Sequence, residues 1–453
     1  MAYYTAVVLA AGKGTRMKSE LPKVMHFMAG QPLIDHVLDK VSRLGIDDVL
    51  TIAGHGREIL TEHLGQRTHV VVQSEQLGTG HAVMQVIPYL KEDTDVLILS
   101  GDQPLLSEHT IKALMTHHSV SGASATVLTA CLDIPTGYGR ILKNDQGFSG
   151  IIEEKDADVK QREINEINTG TYCFRAGALK NALQKITPTN AQGEYYLTDV
   201  FDIILSSGGK IETLCTDDPT EAFGINNRVQ LAEAEDILYD RIRKHWMLEG
   251  VTIINPSSVF IDAQAVLGRD VIISPFTLIK GNTRIDDHAQ IGPGVTVINS
   301  HCRQGCKIQH AVIQDAVIGE NCSIGPYAYI RPGTVLGTGV KVGDFVEIKN
   351  SHIADGSKVP HLSYIGDSVI GNDVNIGAGT ITCNYDGMAK HRTTIGDNVF
   401  VGSNTNFVAP VTIGHHAVIG AGSTITKDVP AESLAIERSQ QKNIENYTKI
   451  RKK

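Results

Sequence analysis

The sequence predicts an α/β unit built on a doubly wound parallel sheet, followed by a parallel β-helix of hexapeptide repeats. In the first half, strand-like apolar runs alternate with helix-like stretches. From Ile261 to Ile425, long runs carry an aliphatic residue, or once Phe407, at every sixth position. A period of six is typical of the hexapeptide β-helix, in which an apolar residue points inward from each flat face of a coil. A β-sandwich would show a period of two instead.

The α/β prediction depends on the order of elements in the first half. Strands are expected at 4–11, 48–54, 68–73 and 95–106, and a helix is expected to begin near Gly80. Alternation of strands and helices predicts a parallel sheet with helices on both faces. Ligands of such sheets bind at the carboxyl ends of the strands.

The segment after the first strand, GKGTRM (12–17), predicts a phosphate-binding turn that leads into a helix. Backbone N–H groups of such a turn, and a helix N-terminus, favour anions. Lys13, Arg16 and Lys23 add cations here, in a chain whose net charge is −9. The turn matches neither the Rossmann nor the P-loop pattern, but its cations indicate a triphosphate site.

Asp102 lies in SGDQPLL, at the expected carboxyl end of a strand. A carboxylate that faces a triphosphate from this position is a natural ligand for Mg²⁺. The alternative is that Asp102 caps the following helix.

The six-residue period fails in three segments: 301–310, 348–376 and 376–395. Because a regular solenoid acts as a scaffold, we expect chemistry where the pattern breaks. The second and third segments are rich in His, Tyr, Asn and Lys, and the third holds the polar insertion GAGTITCNYDGMAKHRT.

Composition limits the class of protein. A chain of 453 residues suggests two or three domains. No apolar run approaches the ~20 residues of a membrane span, and the start lacks the features of a signal peptide, so a cytoplasmic protein without a membrane span is expected. Interspersed charges with an acidic balance argue against a nucleic-acid partner. Seven scattered cysteines suit a reducing compartment.

Cys302 and Cys306, with His301 and His310 beside them, raise the alternative of a metal site. Their spacing is not a standard zinc pattern. We expect this segment to be a surface loop.

Collinear motifs carry a family resemblance along the whole chain. In the first half they are LAAGKGTRM, LPKVMH, QLGTGHA, SGDQPLL, TGYGRI, GIIEEKDA, EINTG, NAQGEYYLTD and GINNR. In the second half they are RPGTVL, VGDFVEIKNS, HLSYIGD, VNIGAGTITCNYDG, VFVGSNT, VAPVTIG and AVIGAGSTIT. The first set resembles sugar-1-phosphate nucleotidyltransferases. The two sets together resemble the bifunctional bacterial UDP-N-acetylglucosamine pyrophosphorylases/glucosamine-1-phosphate N-acetyltransferases.

The resemblance implies three segments: a Rossmann-like nucleotidyltransferase domain at 1–227, a helical linker at 228–250, and a left-handed β-helix acetyltransferase domain with a tail at 251–453. It also implies a homotrimer that uses Mg²⁺, UTP, acetyl-CoA, glucosamine 1-phosphate and N-acetylglucosamine 1-phosphate. The expected chemistry is acetylation of glucosamine 1-phosphate in the second half, then uridylyl transfer to the product in the first half.

For the first half, uridylyl transfer needs charge neutralisation on the phosphates, so Arg16 and Lys23 are the catalytic candidates. The resemblance assigns the magnesium ion to Asp102 and Asn226. The N-acetylglucosamine pocket is assigned to Gly139, Glu153 and Asn168. The implied nucleotide-binding residues are Leu9, Ala10, Ala11, Gly12, Lys13, Gln73, Gly78 and Thr79. The family often has Tyr where this chain has Ser100, which we interpret as a tuning difference.

For the second half, acetyl transfer to an amine needs a base, and an imidazole titrates near neutral pH. His361, within KVPHLSYIGD, is the candidate, and the alternative is one ordinary surface histidine among 18. The resemblance favours the base. It assigns glucosamine 1-phosphate to Arg331, Lys349, Tyr364 and Asn375. It assigns acetyl-CoA to Asn384, Tyr385, Lys390, Ser403, Ala421 and Arg438.

Two rival functions remain to be weighed. In ADP-glucose pyrophosphorylases the β-helix only holds subunits together, and this alternative predicts no cluster like His361, Lys349 and Lys390. Regulatory subunits of translation initiation factors share the architecture, but would lack an intact phosphate turn. Here Lys13, Arg16, Lys23 and Asp102 are all present.

Overall fold

The computed structural model describes residues 3–145 and 147–451. The chain divides into two compact units, Met1–Leu238 and Tyr239–Lys453. The boundary lies inside the helix Arg228–Leu248. The domain bounds expected from the sequence stay a prediction.

The first unit contains a mixed sheet. Its strands are β1 Tyr4–Ala10, β2 Asp48–Ala53, β3 His69–Val72, β4 Asp95–Ser100, β5 Ala125–Cys131, β6 Arg140–Asn144, β7 Gly147–Ile152, β8 Glu166–Arg175 and β9 Ile211–Cys215. The order across the sheet is β9-β5-β8-β4-β1-β2-β3. β8 runs antiparallel to β4 and β5, so the sheet is not parallel throughout. The pattern of one sequence does not distinguish a strand that pairs antiparallel with its neighbours from one that pairs parallel after a crossover connection.

Helices surround this sheet, and apolar side chains on both of its faces are buried. The α-helices of the first unit within the described residues are Leu33–Arg43, Arg57–Leu64, Thr79–Met84, Glu108–Ser121, Val159–Arg162, Ala176–Leu183 and Asp199–Ser206, followed by Arg228–Leu248 at the unit boundary. The short helix Tyr447–Ile450 belongs to the second unit. A short antiparallel pair joins Phe27–Met28 to Gln31–Pro32. Within the described residues, no helix combines the length and apolar character needed to cross a membrane.

The helix expected directly after the GKGTRM turn is wrong. Thr15–Met17 and Lys23–Met25 form single 3-10 turns, and the first α-helix begins at Leu33. Lys18 adopts a left-handed conformation, and Pro22 disfavours a helical conformation for the residue before it. Anions at this turn would therefore meet backbone N–H groups of the turn itself, without an α-helix N-terminus.

The second unit is a parallel β-helix whose short strands form three sheets. Sheet I contains Thr252–Ile253, Ile272–Ile273, Gln290–Ile291, Lys307–Ile308, Ser323–Ile324, Lys341–Asp344, Lys358–His361, Asn375–Ile376, Phe400–Val401, Val418–Ile419 and Leu434–Ala435. Sheet II contains Val259–Ile261, Thr277–Lys280, Thr296–Ile298, Ala311–Gln314, Ala328–Ile330, Glu347–Lys349, Tyr364–Gly366, Ile381–Cys383, Asn406–Val408 and Thr424–Ile425. Sheet III contains Val266–Leu267, Arg284–Ile285, His301–Cys302, Val317–Ile318, Val335–Leu336, His352–Ile353, Ser368–Ile370, Thr393–Ile395 and Val411–Ile413.

The residues of the six-residue period form the core of this unit, with Ile291, Ile348, Ile365 and Phe407 among its buried members. Strands of neighbouring coils pair in parallel. Ala328–Ile330 and Glu347–Lys349 are an example, with Ile330 opposite Ile348. The predicted fold class, an α/β nucleotidyltransferase domain followed by a left-handed β-helix of hexapeptide repeats, is confirmed.

Residues 301–310 do not interrupt the coil, contrary to the sequence prediction. Val266 pairs with Arg284, 18 residues on, and Arg284 pairs with His301, 17 residues on. A corner absorbs the missing residue, so the strands continue. Cys302 and Cys306 are buried in the core, which makes the expected surface loop wrong. Within 3–145 and 147–451, no group of His, Cys, Asp and Glu is arranged to hold a metal ion.

Candidate active sites

A cleft of about 420 Å³ opens at the carboxyl ends of β1, β3 and β4 in the first unit. Every residue that the resemblance assigns to the nucleotide lines it, together with Lys23 and Asp102. Gln76, Ser100 and Glu194 also line the cleft. Sequence reasoning missed Gln76 and Glu194, although both lie inside motifs that carry the resemblance. The cleft is therefore the candidate uridylyl-transfer site.

Gly14 brings the phosphate-binding turn close to Lys23. Its φ is +58°, a left-handed conformation that glycine adopts without strain. A Cβ at this position would lie 2.8 Å from the Cβ of Lys23. The absence of a side chain thus allows Lys23 to stand beside the turn that carries Lys13.

Lys23, Asp102 and Asn226 form the polar centre of the cleft. The Lys23 ammonium contacts the carboxylate of Asp102 and lies 3.3 Å from Oδ1 of Asn226. Nη2 of Arg16 donates to the same Asn226 oxygen at 2.8 Å. The structure therefore brings both catalytic candidates and both candidate metal ligands of this half together.

The positions of these oxygen atoms show whether Asp102 and Asn226 could hold Mg²⁺. Oxygen atoms of Asp102 and Asn226 converge on one cation, the ammonium of Lys23. A carboxylate and an amide carbonyl are hard oxygen ligands of the kind that Mg²⁺ prefers, with water and phosphate completing the shell. The residues present fit the ion, and the ammonium marks the place where their oxygens meet. Asp102 does not act as a helix cap, because Ser107 caps the helix that follows.

Gly139, Glu153 and Asn168 also come together. The N–H of Asn168 donates to the carbonyl of Gly139 at 2.9 Å. A Cβ on Gly139 would lie 3.4 Å from Oε2 of Glu153. Partial burial raises the pKa of Glu153, and the Thr198 hydroxyl, which donates to its carboxylate, opposes the rise. Sequence reasoning missed Thr198, which lies inside the motif NAQGEYYLTD.

In the second unit, His361 lies opposite Asp344 on neighbouring strands of sheet I. Nδ1 of His361 is 2.5 Å from Oδ1 of Asp344. The bond to His361 holds the pKa of Asp344 below its ordinary value. The side chain of His361 is exposed and that of Asp344 is partly exposed. Sequence reasoning missed Asp344, although it lies one coil before His361 in the motif VGDFVEIKNS.

Arg331, Lys349, Tyr364 and Lys390 form a second cluster around the corner, at sheet II. The neighbouring Lys390 ammonium is the main cause of a lowered pKa of Lys349, and desolvation and then the charge of Arg331 add to the effect. Arg331 is held by Glu347, with 2.6 Å between Nη1 and Oε1. Cations so close to one another provide a binding site for an anion. Asn375 lies apart from this cluster, on sheet I in register with Lys358.

The polar insertion forms a loop closed by an antiparallel bridge between Tyr385 and Lys390. Oδ1 of Asp386 accepts from the N–H groups of Met388 and Ala389 at 2.8 and 2.7 Å. Its Oδ2 lies 2.6 Å from Nε2 of His391. The loop therefore has its own hydrogen-bonded frame, which fixes the position of Lys390.

The remaining candidates lie in the last coils. Nη1 of Arg438 donates to the carbonyl of Ala421 at 3.0 Å, and the N–H of Gly422 donates to the carbonyl of Ser403 at 2.8 Å. Asn384 donates instead to Asp367, close to Lys349. The structure thus joins Ser403, Ala421 and Arg438 in one surface, and places Asn384 beside the cluster to which Lys390 belongs.

Comparisons with known proteins agree with this division. Residues 6–138 match the MobA-like NTP transferase domain, residues 248–346 and 324–407 match the GMPPB C-terminal domain, and residues 392–427 match the bacterial transferase hexapeptide family. Among curated relatives, the bifunctional protein GlmU of Desulfitobacterium hafniense is 57% identical over 453 residues, 100% of both chains. That of Heliobacterium modesticaldum is 57% identical over 98% of this chain and 97% of its own.

At this identity over its whole length, the chain belongs to the family of bifunctional GlmU proteins, with a nucleotidyltransferase domain followed by a hexapeptide-repeat transferase domain.

Proposed function

We propose that this protein catalyses two consecutive steps of UDP-N-acetylglucosamine synthesis. The second unit transfers an acetyl group from acetyl-CoA to the amine of glucosamine 1-phosphate. The first unit transfers a uridylyl group from UTP to the resulting N-acetylglucosamine 1-phosphate. The observation that carries the proposal is that each unit has its own cluster of charged side chains suited to one of these reactions.

Uridylyl transfer is an in-line displacement. A phosphate oxygen of the sugar phosphate forms a bond to the α-phosphorus of UTP while the bond to pyrophosphate breaks. No general base is required, because the attacking oxygen already carries a negative charge. Positioning and charge neutralisation therefore account for the catalysis.

The residues of the cleft supply this neutralisation. Lys13 and the backbone of Leu9 to Gly12 line the part of the cleft that would hold the nucleotide. Arg16 and Lys23 would stabilise the charge that develops on the phosphates. Asp102 and Asn226 would hold Mg²⁺, which when bound neutralises phosphate oxygens and orients them.

Acetyl transfer needs a base, because the amine must lose a proton as it attacks the thioester. His361 is proposed as that base. Arg331 and Lys349 would bind the phosphate of glucosamine 1-phosphate, with Tyr364 and Asn375 as sugar contacts. Lys390, which the resemblance assigns to acetyl-CoA, lies close enough to Lys349 to reach the same phosphate. Ser403, Ala421 and Arg438, with Asn384 and Tyr385, would contact acetyl-CoA.

The resemblance supports further parts of the proposal: a homotrimer in the cytoplasm, whose product serves peptidoglycan synthesis. Lipopolysaccharide would be a second use in an organism that makes it. The proposed partners are small molecules, and neither a nucleic acid nor a membrane surface is among them.

A split assay on His361→Ala tests the proposal. CoA release is followed with acetyl-CoA and glucosamine 1-phosphate, and pyrophosphate release with UTP and N-acetylglucosamine 1-phosphate. We expect CoA release to fall at least about a hundredfold and pyrophosphate release to remain at the parent value. His352→Ala, at an exposed histidine in sheet III, serves as the control. If the parent releases no CoA, the β-helix is only a scaffold and the proposal fails.

A further inference from the structure

We infer that Asp344 is a positioning residue for His361. Its carboxylate fixes the imidazole tautomer in which Nε2 is free to accept the proton of the substrate amine. The inference rests on the proposed role of His361 as the base, and it adds a residue to which neither the motifs nor the resemblance assigns a role.

The strand register sets the pair. Lys341–Asp344 and Lys358–His361 are neighbouring parallel strands, in which Asp344 is the partner of His361. The N–H of Leu362 donates to the carbonyl of Asp344 at 3.0 Å. The hydroxyl of Ser363 donates to the carbonyl of His361 at 2.8 Å. These hydrogen bonds fix the backbone beside both residues, so the register alone brings the two side chains together.

The short distance and the charge of Asp344 together determine which ring nitrogen carries hydrogen. At 2.5 Å, Nδ1 and Oδ1 form a hydrogen bond, so one of the two atoms must carry a hydrogen. An ionised carboxylate only accepts hydrogen bonds. The bond to His361 holds the pKa of Asp344 below the ordinary carboxyl value, so Asp344 is ionised at neutral pH. Nδ1 of neutral His361 therefore carries the hydrogen, and the lone pair of the ring is on Nε2.

Few other charges act on this pair. Lys341 and Lys358 lie on the same two strands, and both are exposed. The next strand of sheet I and the corner after it, residues 375–379, contain no titratable side chain. Around the corner, sheet II presents Arg331, Glu347, Lys349 and Tyr364. Asp344 is thus the carboxylate in direct contact with the imidazole.

The pair has a defined part in the reaction. The amine nitrogen forms a bond to the thioester carbonyl carbon, and its proton passes to Nε2 of His361. When the carbon–sulfur bond breaks, that proton passes from the imidazolium to the departing thiolate. Asp344 stabilises the transient imidazolium by its charge, and keeps Nε2 as the nitrogen that accepts.

Another pair in the same unit offers a matched control. Nε2 of His301 lies 2.8 Å from Oδ2 of Asp286, so this pair also joins an imidazole to a carboxylate, through the other ring nitrogen and with both side chains less exposed. Asp286 also accepts from Arg284, and no residue of either candidate site lies in these strands. Asp286→Asn therefore removes a carboxylate from a histidine without touching the site.

The test compares Asp344→Asn, Asp344→Glu and Asp286→Asn in the full chain. For Asp344→Asn we expect kcat for CoA release to fall about tenfold, with KM for both substrates within about twofold of the parent. Because Asp344→Asn removes the negative charge that stabilises the imidazolium, the acid limb of the kcat/KM profile should move to lower pH. Asp344→Glu should recover part of kcat, and Asp286→Asn should match the parent.

Two outcomes overturn the inference while leaving the proposed function intact. In the first, His361→Ala loses CoA release, but Asp344→Asn keeps the kcat and pH profile of the parent. In the second, Asp344→Asn loses activity through raised KM and a lowered thermal midpoint, with no shift of the acid limb, which would mean a structural role only. If His361→Ala itself retains CoA release, the proposed base is wrong and this inference fails with it.

Discussion

Lys390 lies close enough to Lys349 to be the main cause of its lowered pKa, although Lys349 lies on a strand of sheet II and Lys390 in the polar insertion. Two neighbouring ammonium groups repel each other, and an anion bound between them would offset the repulsion. This proximity favours a phosphate site to which Lys390 contributes, whereas the family resemblance implies that Lys390 contacts acetyl-CoA.

The first prediction follows from this proximity. Lys390→Met should raise KM for glucosamine 1-phosphate about tenfold, the usual effect of losing a hydrogen bond to a charged group, with KM for acetyl-CoA within about twofold. Initial rates of CoA release, with each substrate varied in turn, measure both. Lys307→Met, at an exposed lysine of an earlier coil, is the control. If only KM for acetyl-CoA rises, Lys390 binds acetyl-CoA and not the sugar phosphate.

The second prediction concerns the oxygens of Asp102 and Asn226 that converge on Lys23. In the absence of nucleotide, Asp102→Asn should weaken Mn²⁺ binding at least about tenfold, because a charged ligand is lost. Lys23→Met should strengthen it, because a competing cation is removed. Electron paramagnetic resonance of free Mn²⁺ measures both effects.

Both variants should nevertheless lose pyrophosphate release and keep CoA release. Asp133→Asn, at an exposed carboxylate of the same unit, should change neither measurement. If Lys23→Met binds Mn²⁺ more weakly than the parent, Lys23 does not compete for these oxygens.

The third prediction concerns Asp386, which frames the insertion. The N–H groups of Ala389 and Met388, together with His391, hold the pKa of Asp386 below its ordinary value. A depressed pKa means that this bonding is present above the ordinary carboxyl pKa of about 4 and is lost as the pH falls. At neutral pH, Asp386→Ala should therefore release Tyr385 and Lys390 from their positions.

The expected result for Asp386→Ala is a rise of about fivefold in KM for both acetyl-transfer substrates, measured by CoA release. Asp386→Asn, which keeps an oxygen acceptor for the two N–H groups, should show a smaller rise. Asp428→Ala removes a similar bond to the backbone of Thr412 in a later coil, and should leave both KM values unchanged. Unchanged KM values for Asp386→Ala would mean that the loop keeps its form without this carboxylate.

The fourth prediction concerns Arg140, whose side chain is buried beside the proposed sugar pocket. Its Nη2 lies 2.7 Å from Oε2 of Glu154, and its guanidinium also donates to the carbonyls of Tyr138 and Arg162. Arg140→Met would leave the carbonyls of Tyr138 and Arg162 without this donor and the partly exposed Glu154 without its cation, which costs about 3 kcal/mol. That loss corresponds to a midpoint lower by about 6–12 °C for a unit of this size.

Residual activity after heating measures this effect separately in the two units. Pyrophosphate release should be lost at a lower temperature in Arg140→Met, while CoA release should be lost at the temperature of the parent. Arg162→Met removes an exposed side chain but keeps the carbonyl that Arg140 uses, so it should behave as the parent. Equal midpoints for Arg140→Met and the parent would contradict the assigned role of the buried guanidinium.

The fold was largely predictable because its signals are periodic. Buried residues such as Ile291 and Ile348 recur at fixed intervals, and the physical reason for the interval is the face length of a coil. The error at Cys302 and Cys306 came from the same reasoning. One residue missing at a corner shifts the period in the sequence, but leaves the strands in register.

The sites were predictable only in part. Lys23 and Asp102 were recognisable from strand ends and charge, but the helix expected after Gly14 is absent because Lys18 and Pro22 turn the chain. Asp344 carries no signal of its own in the sequence. Its importance appears only when the register places it opposite His361, and a register between coils is a property of the folded chain.

The number of residues in a coil can vary without changing the spacing of the coils along the β-helix axis. Val266 and Arg284 are separated by a coil of 18 residues and Arg284 and His301 by one of 17, whereas Cys383 and Val408 are separated by 25 because the insertion lies between them. Each step nevertheless advances the chain by one strand spacing, about 4.8 Å. The height of a side chain along the axis is therefore set by the number of turns beneath it, and loops can lengthen or shorten at the corners without displacing any functional group from its level.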